Sequence, residues 1–262
     1  MKRRFSHVTA VWICFFGLAK LAAADPRPFT FTSDAYPMGK GQWEIEQWVT
    51  YSGERGNDSE FMRFDFRTEL ELGLADNFDL AIYFPEIRHE DSTAGGEDTS
   101  LHGGAIEAVV YLTNPVKDFL GIALYGEVKI REDELEFEQK LILQKDIGKW
   151  IFAYNLVLET EIEGAFEEGE NEIEGILQNT FGVAYAFLPG WTAGGEMVIK
   201  SVYEDWENYE GTAVHIGPVL SYQGGKVGQD GVWWVTVTPM FQVTDEDSES
   251  DFMFRMIFGI GF

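Results

Sequence analysis

Three histidines lie beyond the first two dozen residues: His89, His102 and His215. A histidine supports nucleophilic chemistry when it can take a proton from a nearby serine while a third polar group fixes its tautomer. Ser100 precedes His102 by two positions and Ser221 follows His215 by six, but neither spacing builds a triad by itself. No catalytic residue and no enzyme activity are therefore expected. The one cysteine, Cys14, lies in an apolar N-terminal run, so the rest of the chain has no thiol or disulfide chemistry. No histidine and cysteine cluster has the spacing of metal ligands. Asp245 to Ser250 offers many oxygens but lacks the glycine and glutamate positions of a calcium loop. No metal site and no cofactor are expected, and this run reads as a solvated acidic loop.

What the chain does have is charge at regular spacing. Its 45 acidic residues all follow position 24, whereas four of its 19 basic residues (Lys2, Arg3, Arg4 and Lys20) precede it. From Asp25 onward, 15 basic residues stand against 45 acidic ones, a net charge of −30 with histidine neutral. Such a chain does not bind nucleic acid through bulk electrostatics. Its 15% aromatic content argues against disorder. The charges alternate with apolar residues. Arg63, Asp65, Arg67, Glu69 and Glu71 interleave with Met62, Phe64, Phe66, Thr68, Leu70, Leu72 and Leu74. That is the period of a β-strand with one apolar and one polar face. The same register sets Glu107, Glu127, Lys129, Glu159, Glu161, Glu172, Glu174, Glu196, Lys200 and Arg255 opposite an apolar face.

The elements that must carry these residues repeat along the chain. Alternating segments of about ten residues run from Gln42 to the end. Twelve strands are expected, with ten or fourteen as alternatives, and they leave no room for a second domain. The connections alternate between modest turns, such as Ala75-Asp76-Asn77, and mostly longer acidic loops: Ser52 to Glu60, Glu86 to Gly103, Glu163 to Asn171, Ser201 to Gly211 and Thr244 to Ser250. Trp43, Phe78, Phe119, Trp150, Trp191 and Trp233 begin strands on the short-turn side, and Tyr111, Tyr185, Tyr222 and Phe262 are expected to end strands at the same level. Twelve strands enclose more space than one layer of side chains can fill, so the polar face is expected inside and the apolar face outside. The last strand reads Phe252, Phe254, Met256, Phe258, Ile260, Phe262 on one face and stops at an aromatic. The first residues pair a basic start, Lys2 to Arg4, with an apolar run from Val8 to Ala19 too short to span a bilayer as a helix, then Ala22-Ala23-Ala24. The expected division is residues 1–24 a secretory signal peptide, 25–41 a short periplasmic tail, and 42–262 the barrel.

The terminal strand resembles the C-terminal signal of bacterial outer-membrane barrels, with Phe258, Ile260 and Phe262 in the positions read by the barrel-assembly machinery. The stretch Pro37-Met38-Gly39-Lys40-Gly41-Gln42-Trp43-Glu44-Ile45-Glu46 resembles the opening of a loose group of bacterial barrels labelled transporters or phenol-degradation-pathway porin-like proteins. The resemblance implies an all-β, closed antiparallel up-and-down transmembrane β-barrel in the outer membrane, in contact with lipid and lipopolysaccharide. It also implies passage of small solutes. The charged face of the strands then becomes the expected pore lining. Its acidic surplus favours cations. Loose bridging of the acidic loops to lipopolysaccharide by divalent cations is a minor alternative. A closed structural or adhesive barrel, and an outer-membrane lipid hydrolase, are the other readings to be weighed.

Overall fold

Alternation becomes a ladder of strands in the computed structural model, which describes residues 26–167, 169, 171–227 and 231–262. The expected signal peptide lies outside the described residues. The strands are β1 (Trp43–Arg55), β2 (Asp58–Ala75), β3 (Phe78–Tyr83), β4 (Glu86–Ser92), β5 (Gly96–His102), β6 (Gly104–Thr113) and β7 (Gly121–Ile130). They continue as β8 (Glu134–Ile147), β9 (Trp150–Glu163), β10 (Glu172–Leu188), β11 (Trp191–Glu204), β12 (Asn208–Val227), β13 (Gly231–Gln242) and β14 (Ser250–Gly261). Around the wall the strands pair antiparallel in sequence order except that β3 pairs with β6, and β1 pairs with both β2 and β14, so the sheet closes. The result is an all-β, twelve-strand barrel with two extra strands.

The extra strands, β4 and β5, replace a segment expected to be an acidic loop. β3 and β4 both lie along β2, interrupted at Phe84-Pro85, and β5 pairs back on β4. Other expected loops also shrink. β1 and β2 are separated only by Gly56-Asn57, and β11 and β12 only by residues 205–207. Beyond an apolar surrounding, a strand can be polar on both faces. Its ladder then continues although its sequence alternation fades.

The barrel is apolar on the outside. Phe66, Ile82, Ile106, Leu124, Phe152, Leu158, Val183, Ile216, Leu220 and Phe258 are all exposed there, a belt far larger than a water-facing surface ordinarily carries. Glu44, Glu46, Glu69, Glu107, Glu127 and Glu196 are buried inside. At the short-turn end the aromatic residues pair across neighbouring strands. Trp43 stacks on Phe262 at 4.6 Å, Trp150 lies 4.8 Å from Tyr185, and Trp191 lies 4.4 Å from Tyr222. Tyr111 departs from the expected girdle. It is buried inside with Val109 and Tyr125. It shares the parity of Glu107, and a strand cannot turn both residues to opposite faces.

Two turns on this end depend on glycine, because Gly148 and Gly190 take φ of +64° and +76°. One seam of the wall is broken: the β12–β13 register passes from Ile216↔Phe241 directly to Leu220↔Val237. Pro218 and Pro239 lie within that gap, and neither has an N–H to donate.

Candidate functional site: the charged lumen and its N-terminal belt

Residues 26–42 do not lie free of the barrel, as a tail outside it would. They run around the inner wall. Pro26, Pro28 and Pro37 favour an extended chain, whose backbone groups must find partners away from any strand. Wall side chains provide them. The Thr236 and Ser221 hydroxyls donate to the Arg27 carbonyl at 2.5 and 3.3 Å. The carboxylate of Glu196 accepts three successive backbone N–H groups, from Thr30, Phe31 and Thr32, at 3.0, 2.8 and 2.9 Å. Asn155 bonds both the N–H and the carbonyl of Ser33. Gln144 accepts from the Ala35 N–H and Asp79 from the Met38 N–H. The belt thus passes from β12 and β13 across β11, β9, β8 and β3 to β1.

Its side chains are seated as firmly. Phe29 is 1% exposed and packs on Ala153, Ala184 and Val219. Gly182 leaves room for the ring, since a Cβ there would come within 2.7 Å of it. Arg27 donates to Glu46 at 2.7 Å and to Glu69 at 3.3 Å, and its guanidinium lies 3.7 Å from Glu71. Glu46 and Glu69 stand directly opposite one another on β1 and β2, as do Glu44 and Glu71. Like charges so placed repel. The cation that joins them comes from the belt.

The other expected lining residues fall into distinct groups. Arg63 and Arg88 both pair with Asp65, at 3.0 and 2.6 Å. Arg67 reaches Glu127 at 2.8 Å and lies over the Tyr83 ring. Glu107 accepts the Tyr83 hydroxyl, and Lys129 pairs with Glu136 at 3.5 Å. Lys200 pairs with Glu249 at 2.8 Å. Arg255 donates to Thr50 at 2.9 Å and to the Thr30 carbonyl at 3.2 Å, with Phe31 against its guanidinium. Glu159, Glu161 and Glu174 line the wall without an ion pair among the described residues. Glu172 is exposed, in an acidic vestibule of about 340 Å³ that it shares with Glu163, Glu204 and Glu210. A central cavity of about 480 Å³ touches most of these side chains, including Arg63, Arg67, Glu107, Glu127, Glu159 and Arg255.

Sequence reasoning missed Arg88 because it falls in the segment read as a loop, and it missed the whole belt. Two signals pointed to the belt. Phe29 and Phe31 are costly in a solvated tail, and the four inward glutamates of β1 and β2 have only Arg67 beside them on their own strands.

Among the described residues the histidines build no triad. His215 is bonded to the Ser250 carbonyl at 2.8 Å, while Ser221 is engaged with Thr236 and the belt. Ser100 and His102 do meet, at 3.1 Å on the extra hairpin, but among the described residues no acid orients the ring. Burial, and then Arg88 and Arg131, hold the His102 imidazole below its ordinary pKa. The oxygens of Glu134, Glu136 and Glu161 lie within 4.8 Å of one another, and Arg131 bonds the first two at 2.5 and 2.9 Å.

Phe258, Ile260 and Phe262 lie on the outer face of the closing strand. The Trp43 and Phe262 backbones exchange hydrogen bonds of 3.0 and 2.8 Å, which completes the seam. Among solved structures, the COG4313 outer membrane channel from Pseudomonas putida F1 is similar over 89% of this chain and 100% of its own, with a TM-score of 0.63 and 11% identity. The NanC porin is similar over 84% of this chain and 98% of its own, with a TM-score of 0.52 and 10% identity. These likenesses concern the fold. No curated protein matches the sequence. A family model matches residues 21–252, and the chain belongs to that family, the family of unknown function DUF6662.

Proposed function

We propose that this protein is a passive outer-membrane channel for small solutes that prefers cations. The observation that carries the reading is a water-accessible, charge-lined cavity inside a closed barrel whose outer face is apolar. The similar solved structures, an outer membrane channel and a porin, agree with it. The preference follows from the unpaired glutamates of β9 and β10 and the acidic vestibule above them, since a field inside low-dielectric walls concentrates counter-ions. The remaining roles belong to the same reading. The signal peptide is cleaved after Ala24, the assembly machinery reads the terminal strand through Phe258, Ile260 and Phe262, and the apolar outer face of the wall contacts lipid and lipopolysaccharide. Purified protein in planar bilayers tests the channel. A potassium chloride gradient should give a reversal potential of cation-selective sign. Changing Glu159, Glu161, Glu172 and Glu174 to Gln should move it toward zero. No current, or anion preference, would refute the proposal.

A closed structural barrel is the second reading, and the N-terminal belt favours it by narrowing the lumen. Under that reading neither the wild type nor a variant lacking residues 26–36 carries current.

A further inference from the structure

The two signs of charge are not mixed evenly around the lumen. In the closed order of twelve strands, β1 lies diametrically opposite β9. The arginines cluster around β1: Arg255 on β14, Arg63 on β2 and Arg88 on β4. Arg63 and Arg88 share the carboxylate of Asp65, and Arg88 also reaches Glu86 at 3.4 Å. Arg255 has no carboxylate at ion-pair distance among the described residues and is held by Thr50, the Thr30 carbonyl and the Phe31 ring. The charged side chains that β14, β2 and β4 contribute to the central cavity are all basic, Arg63, Arg67, Arg88 and Arg255, and the glutamates of β1 and β2 do not line it.

The facing wall is negative for a reason written into its register. Glu136 stands opposite Glu161, Glu138 opposite Glu159, and Glu161 opposite Glu174. Directly opposed like charges destabilise a sheet unless a cation joins them. At β1 and β2 the same arrangement, Glu46 opposite Glu69, is joined by the Arg27 guanidinium. On β8, Glu136 is paired with Lys129 and Arg131 and Glu138 with Lys140, but among the described residues Glu159, Glu161 and Glu174 on β9 and β10 have no ion pair. Both walls line the same cavity of about 480 Å³.

We propose that this transverse separation of charge makes the lumen selective for small zwitterionic solutes, oriented with an ammonium or guanidinium toward Glu159, Glu161 and Glu174 and a carboxylate toward Arg63, Arg88 and Arg255. The proposal rests on the channel reading. A solute with both charges gains at both walls. A neutral solute of equal size gains at neither and must displace water ordered by the field.

Liposome swelling tests this with γ-aminobutyrate as the zwitterion and erythritol as a neutral solute of similar size, after conductance of the same preparation in potassium chloride has been recorded. Wild type should admit γ-aminobutyrate several-fold faster. The variant R63Q/R88Q/E159Q/E161Q removes two charges of each sign and leaves the net charge of the lumen as it was, so its rate ratio should fall to about 1. The variant E159K/E161K, altered only at side chains without an ion pair, makes both walls positive and should lose the preference as well. Heat-modifiable migration verifies that each variant is folded, and E159K/E161K carries the test if the quadruple variant is not. Ion current together with equal entry of the two solutes into wild-type liposomes would overturn the proposal and leave the channel standing. An unchanged ratio in a folded variant would overturn it too. Absence of current would remove both.

Discussion

At the residue scale, each side chain's worth depends on which side of the wall it meets. Phe66 is 39% exposed on the outer face, whereas Gln178, on β10, lines the central cavity. Phe66→Arg should cost about 2–4 kcal/mol, because a guanidinium there has no water and no partner. Gln178→Arg should cost clearly less. Urea unfolding from lipid bilayers measures both, and equal losses would contradict the assignment of faces. Thr236 also points inward, but it bonds the Arg27 carbonyl, so a large cation should not be tolerated there. Arg27 is the residue on which most depends. Its removal strands the carboxylates of Glu46 and Glu69, which are 1% and 0% exposed. Breaking one side of a buried ion pair leaves an uncompensated charge, and Arg27→Ala should destabilise by about 3–5 kcal/mol. The triple variant R27A/E46Q/E69Q should recover much of that loss in the same unfolding assay.

At the element scale, two segments behave differently from ordinary strands. The closing strand β14 carries a row of apolar residues outward and locks to β1 through mutual backbone bonds and the ring stack of Trp43 on Phe262. A stacked aromatic pair adds about 0.5–1.5 kcal/mol beyond its buried area. Phe262→Ser should therefore lower the yield of heat-modifiable, membrane-integrated barrel while export of the chain continues. Equal yields would show that the terminal ring is dispensable for assembly. The N-terminal belt is the other segment. It has no strand ladder, so Glu196, Asn155, Gln144 and Asp79 take the place of a neighbouring strand for its N–H groups. Glu196 alone satisfies three of them. This explains a buried glutamate that an account of pore lining would have assigned to solute.

At the scale of the whole molecule, two sources of selectivity should separate by salt. The acidic vestibule opens to solvent, so its pull on cations should fade as the Debye length falls from about 10 Å at 0.1 M to about 3 Å at 1 M. The cavity walls should keep their effect better, because low dielectric focuses the field. Reversal potentials at several salt concentrations, with a fixed gradient ratio, should decline to a plateau that is not zero. A fall to zero would place all selectivity at the mouth. Much of this architecture was legible beforehand. Strands bathed in an apolar medium on one side and water on the other must alternate, so Met62 to Leu74 and Phe252 to Phe262 declare both their faces and their register parity. Closure followed from the apolar terminal strand. The extra hairpin β4–β5 was not legible, because polar residues on both faces erase the period. Nor was the belt, whose partners lie as far away in sequence as Thr236 and Glu196 and are selected by where the closed wall brings them. The opposition of Arg255 and Glu159 belongs to the same class. Alternation assigns a residue to the inside, since that depends only on its neighbours along one strand. Which charges then face one another depends on strand order, closure and what fills the lumen, and these exist only once the barrel has formed.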